Sequence, residues 1–136
     1  MTTKVMKVYI SGKIGEEVLS EATRHKFARA EELLKARGYE VFNPTTSGLG
    51  QRAEDLAKNA DYETSFYQEI LLIDLVQLAQ CDGIYMLADW TESPGANVEL
   101  DFAMATGKQR FWELEEDAKV YCDDAGNYTD VWLPIE

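Results

Sequence analysis

The chain predicts an α/β fold, a single-domain three-layer sandwich whose mainly parallel sheet of four to five strands lies between helices. Three observations carry this. Short β-branched and aromatic runs alternate with longer stretches at helical spacing, the pattern of successive βαβ units. The run "CDGIYMLA" has few polar residues, as expected of a central parallel strand covered on both faces. A length of 136 residues with 46% hydrophobic content suits one core and leaves no room for a second.

The elements follow in order. "KVMKVYISG" reads as a first strand over about residues 4 to 10, ended by Ser-Gly. "EEVLSEATRHKFARAEELLKARG" is a helix, with Phe27, Ala30, Leu33 and Leu34 at helical spacing and a Lys-Ala-Arg-Gly stop. "YEVFNP" is a short second strand halted by Pro44, and residues 45–60, polar and glycine-containing, read as a loop with at most one helical turn. "YETSFYQEILLIDLVQLAQ" is proline-free and apolar on most sides. It is expected to form a helix from Tyr62 to Ala79, covered by the protein or by a partner. After the third strand, "SPGANVELDFAMATG" is a helix and "KQRFWEL" a fourth strand. The tail "KVYCDDAGNYTDVWLPI" reads as two short strands around an Asp-Ala-Gly-Asn turn, or as one edge strand with an extended tail. Right-handed crossovers would join these elements into a Rossmann/flavodoxin-like sandwich.

Composition narrows the function. The formal charge of −12 repels phosphate backbones and argues against a nucleic-acid polymer as partner. A single nucleotide could still be held by local amides and one lysine. No apolar run is long enough to span a bilayer and the N-terminus has no signal-peptide pattern, so a cytoplasmic protein is expected. Cys81 and Cys122 are far apart, without CxxC spacing, and His25 is the one histidine, which argues against a metal site. Cys81 reads as a buried thiol and His25 as a solvated helix residue. There is no GxSxG elbow, GxGxxG or P-loop, and no cofactor is called for.

In parallel sheets, ligands bind beyond the carboxyl ends of the strands. That rule picks out "SGKIG" with Ser11, Gly12 and Lys13 after the first strand, "NPTTSG" with Asn43 after the second, and "ADWTESPGAN" with Ser93, Gly95 and Ala96 after the third. Ser93 is a good N-cap and Pro94 suits the first helical position. The free amides of that first turn would suit an anion or a sugar hydroxyl. Val98, Phe102 and Ala105 are expected to form the buried stripe of this helix, with Glu99 at its edge. The helix N-terminus is expected to favour ionised Glu99. On spacing alone, Glu99 is either a solvated helix glutamate or a functional acid. Asp74 sits between Tyr67, Leu71 and Leu78 in helical projection. It is either at an exposed margin or buried, and if buried it needs a partner. Tyr9, at the end of the first strand, is either core or site.

These residues resemble the nucleoside 2-deoxyribosyltransferase superfamily, which includes deoxynucleoside monophosphate N-glycosidases. The resemblance runs from "KVYISGKI" through "GYEVFNP". It is most specific in "DLVQLAQCDGIYMLADWTESPGANVE", in the spacing of Asp74, Asp82, Ser93, Gly95 and Glu99. It covers residues 4–112 of one domain spanning 1–136, with 113–136 as C-terminal strands or tail. The resemblance implies Glu99 as nucleophile at the anomeric carbon and Tyr9 as its orienting group. Asp74 would bind the sugar or assist protonation of the departing base, and Ser93 with the Gly95 amide would hold the sugar's 5′ end. It implies a nucleoside or 5′-monophosphate substrate, the phosphate reached by Lys13. It also implies hydrolysis or base exchange without a metal, and a homo-oligomer built on the apolar helix. The rival expectations are a non-catalytic module that senses or sequesters a nucleotide-derived ligand, and an acidic protein-interaction face.

Overall fold

Alternation in β1 (Lys7–Ser11) determines how this protein is built. Val8 and Ile10 point to one face of the sheet, Tyr9 and Ser11 to the other, and all four are buried. The computed structural model describes residues 4–14, 19–120 and 130–135. Gly15, Cys122 and the Asp-Ala-Gly-Asn turn lie outside them. Helix α1 (Glu21–Ala36) is capped by Ser20, whose Oγ accepts the Thr23 N–H at 3.1 Å. Gly38, with φ of 88°, turns the chain into β2 (Glu40–Phe42), a left-handed conformation that favours glycine. Then come α2 (Gly50–Asn59), α3 (Phe66–Ala79), β3 (Gly83–Met86), a 3₁₀ turn (Trp90–Glu92), α4 (Pro94–Ala105), β4 (Gln109–Trp112), α5 (Glu115–Val120) and β5 (Val131–Trp132).

The five strands among the described residues are all parallel, in the order β2-β1-β3-β4-β5, the flavodoxin-like arrangement. The expected sandwich is therefore the fold. One face packs Val8, Ile10, Tyr85 and Phe111 against Phe27, Ala30 and Leu34 of α1. The other packs Tyr9, Ile84, Met86 and Trp112 against Leu78, Ala96, Leu100 and Ala103 of α3 and α4, with Ala118 of α5. Among the described residues no helix is long and apolar enough to cross a membrane.

The elements depart from expectation in five places, the first being α1, which begins at Glu21 after its Ser20 cap rather than near residue 16. β1 begins at Lys7 rather than near residue 4, and α3 begins at Phe66 rather than Tyr62, because the Ser65 side chain caps it on Gln68 N–H. Residues 50–59 are a ten-residue helix, not a loop. Its buried stripe is thin, with Ala53 inside and Leu56 half exposed, so polarity hid it. α5 is an added helix, held by Glu115, Glu116 and Asp117 at its positive end. Of the two tail readings, Val131–Trp132 as an edge strand followed by an extended end agrees with the described residues.

One buried ion pair ties this edge to the sheet. Arg110 of β4 donates from Nε and Nη2 to the Asp130 carboxylate at 2.8 and 3.2 Å, with both side chains almost fully buried. Removing the Asp130 carboxylate takes two charge-assisted hydrogen bonds from a buried guanidinium. Asp130→Ala is expected to cost roughly 1.5–3 kcal/mol, read as a lowered urea midpoint at unchanged slope.

Candidate functional site

Tyr9 and Ser11 are two residues apart on one strand, so their side chains rise from the same face about 6.8 Å apart. Both reach one carboxylate. Tyr9 Oη donates to Glu99 Oε2 and Ser11 Oγ to Glu99 Oε1, each at 2.7 Å. Glu99 is thereby drawn inside. The buried face of α4 is Ala96, Glu99, Leu100 and Ala103, not Val98, Phe102 and Ala105; Val98 is 41% exposed. Apolar residues lie nearly all around this helix, so hydrophobicity did not select a face. The paired hydroxyls on β1, opposite Glu99, complement the face that turned inward.

Burial raises the Glu99 carboxyl to a pKa of about 7, against the opposing hydrogen bonds from Ser11 and Tyr9. The expected stabilisation of its ionised form by the helix end does not prevail. Glu99 lies beyond the first turn of α4, where the dipole is already weak. Asp74, on α3, is also buried. Desolvation, and next the Glu99 charge, push it up to about 8. Its Oδ1 is buried without a hydrogen-bond partner, so the expected partner is not supplied by the described residues. Tyr9 is driven well above the usual phenol range by burial, then by Glu99 and Asp74. It therefore remains a donor. Its ring stacks on Phe42, centroids 5.3 Å apart.

Tyr9, Asp74 and Glu99 line one cavity of about 560 Å³. It opens at the carboxyl ends of β1 and β3, the point where strand order reverses. Phe66, Tyr67, Ile70 and Leu71 of α3 form a wall with Asp74, and Ser93, Gly95 and Ala96 of α4 another. Phe66, Ile70 and Asp74 share a four-residue spacing, a signal that could have exposed the first two. Ile14, Pro44, Thr45 and Gly48, from the loops singled out after the first and second strands, add to the lining, as do Leu19 and Gly50, which no sequence pattern marked.

The other candidates have specific placements. Gly12 lines the cavity, and a Cβ there would come 2.6 Å from Leu87 Cδ1, so its smallness serves packing as well. Gly95 leaves room for Tyr67, whose Oη would be 3.1 Å from a Cβ at that position. Lys13 does not line the cavity. Its N–H binds Asp89 Oδ1 at 3.0 Å and its ammonium lies 3.5 Å from Glu92 on the surface. Asn43 also lies outside the lining. Its Oδ1 accepts Thr45 N–H and Oγ1 at 2.9 and 2.7 Å, while its amide donates to Glu31, a turn-forming role. Ser93 Oγ accepts the Ala96 N–H at 3.1 Å, and Asn97 Nδ2 binds Ser93 O at 2.8 Å. The α4 end therefore spends part of its donor capacity internally. Asp82 sits at the opposite end of the sheet, accepting the Lys7 N–H at 2.9 Å, and holds β1 to the start of β3.

Two carboxyls with raised pKa values in an apolar cavity can hold one proton between them and offer one carboxylate for attack, an arrangement suited to nucleophilic and acid chemistry together.

A family model described as "Domain of unknown function (DUF4406)" matches residues 6–111. No curated protein matches the chain. Among solved structures, a 2-deoxyribosyltransferase of the psychrotolerant bacterium Bacillus psychrosaccharolyticus superposes with a TM-score of 0.54 at 15% identity, over 93% of this chain and 99% of that one. The solution structure of BlsM superposes with a TM-score of 0.56 at 20% identity, over 95% and 81%. Both are similar to this chain in fold.

Proposed function

The chain belongs to the DUF4406 family, within the nucleoside 2-deoxyribosyltransferase superfamily, and on that premise we propose that it cleaves the N-glycosidic bond of a (deoxy)nucleoside or nucleoside 5′-monophosphate. The observation that carries this reading is Glu99, buried at the cavity wall with both oxygens held by Tyr9 and Ser11, beside a second buried carboxyl at Asp74 with an unpartnered oxygen.

Glu99, in its ionised form, attacks the anomeric carbon as the C1′–N bond breaks, and the bonding pair leaves with the base. The Asp74 carboxyl, raised to about 8 and so protonated at neutral pH, gives its proton to the departing nitrogen. A glycosyl ester on Glu99 results, as in retaining glycosidases. Water or a second base then attacks the same carbon, Glu99 leaves, and Asp74 takes a proton back. Hydrolysis and base exchange differ only in that second nucleophile. Tyr9 and Ser11 orient the carboxylate, and Ser93, Gly95 and Ala96 hold the sugar. Ser11 thus acts on Glu99 rather than on the substrate.

Assembly into a cytoplasmic homo-oligomer belongs to the same proposal. It is supported by the apolar surface of Leu72 and Val76 on α3 and Val98 on α4, exposed by 50%, 58% and 41%.

A panel of nucleosides and their 5′-monophosphates, with and without a second free base, tests the reading by chromatography of released base. Base release is expected. Ligands that raise the melting temperature without being cleaved would instead favour a sensing or sequestering module.

A further inference from the structure

We infer that this cavity takes an uncharged N-glycoside and discriminates against the same molecule carrying a 5′-phosphate. The inference deepens the proposed function and depends on it for the bond that is cleaved.

The distribution of charge carries it. All 13 lysines and arginines, and His25, fall within the described residues, and none of them lines the cavity. Among the described residues the carboxyls on its wall are Asp74 and Glu99. Two lysines beside the first loop are already matched. Lys13 faces Glu92 at 3.5 Å, and Lys26 pairs with Asp89 while donating to the Lys13 carbonyl at 2.6 Å.

The end of α4 does not replace them. A phosphate at a helix N-terminus needs several free amides. Here Pro94 has no N–H and the Ala96 N–H is taken by Ser93 Oγ, so of the first three helical positions at most Gly95 offers a donor. One amide and one serine hydroxyl suffice for a sugar hydroxyl, which donates as well as accepts. They do not neutralise a dianion facing ionised Glu99. The overall charge of −12 opposes its approach as well.

The test compares thymidine with thymidine 5′-monophosphate, and 2′-deoxyadenosine with its 5′-monophosphate, on the wild-type protein. Both kcat/KM and calorimetric Kd are measured, at low and high salt. Each nucleoside is expected to exceed its monophosphate by about tenfold or more in both quantities, the scale of one like-charge encounter at an effective dielectric near 20. The gap should narrow as salt rises from about 20 to about 300 mM and screening shortens the reach of the charges. Ile14→Lys, which adds an ammonium to the lining, should narrow it at fixed salt; a gap unmoved by this variant would overturn the electrostatic basis. Monophosphates bound and cleaved as well as nucleosides would overturn the inference and leave the N-glycosidic chemistry standing. If neither form is bound or cleaved, both fall.

Discussion

Glu99→Gln is expected to lower glycoside cleavage by about a thousandfold or more while leaving the fold intact. The substitution keeps the shape of the side chain, and its amide oxygen can still accept one of the two 2.7 Å hydrogen bonds from Tyr9 and Ser11. What disappears is the electron pair that attacks the anomeric carbon. Stability should change little, because the carboxyl is already penalised by burial. Glu99→Ala is a harsher change, since it leaves the hydroxyls of Tyr9 and Ser11 buried without an acceptor. Its loss of activity would therefore mix chemistry with local repacking. Initial rates for Glu99→Gln, beside urea unfolding of the same sample, separate the two. Undiminished cleavage would remove Glu99 from the mechanism.

Asp74→Asn is expected to lower cleavage by about 10²- to 10⁴-fold for bases that need a proton to leave. The loss should be much smaller for 7-methyl-2′-deoxyguanosine, whose base departs without one. The pH profile carries the same prediction. In the wild type, kcat/KM should rise as Glu99 loses its proton near 7 and fall as Asp74 loses its own near 8. In Asp74→Asn the alkaline fall should vanish. A stability effect accompanies it. The folded-state value of Asp74 is raised above its unfolded value, so the folded protein holds a proton that the unfolded chain has released. Its contribution is full below about pH 4, the unfolded value, and is lost as pH rises through about 8. The melting temperature of the wild type should thus decline over that window more steeply than that of Asp74→Asn. An unchanged alkaline limb in the variant would show that another group supplies the proton.

Much of this site is legible in the sequence because it depends on short-range rules. The period of two in "KVYIS" places Tyr9 and Ser11 on one face, and Ser93-Pro94 marks the start of α4. The strand order then brings the end of β1 beside the end of β3. What could not be read depends on which of two comparable options tertiary packing selects. α4 has apolar residues on several sides, and a carboxylate with two hydroxyls waiting for it took the inner face. α2 buries little more than Ala53, so its sequence looks like a loop although it packs on α3. Lys13 and Asn43 stand in the expected loops, but a strand-end rule does not say where a side chain turns. One pairs with Glu92 on the surface and the other closes its own turn. The absence of a cation from the cavity emerges only once all of them are located.

Intact-protein and peptide mass spectrometry of the enzyme quenched during turnover of a 2′-deoxy-2′-fluoro nucleoside, a slowly reacting analogue, bears on the covalent role of Glu99 most directly. The expected result is a mass increase equal to one fluorinated sugar residue, located on the peptide that contains Glu99 and absent from Glu99→Gln. Release of base at the same rate with no adduct, or an adduct on another residue, would contradict it.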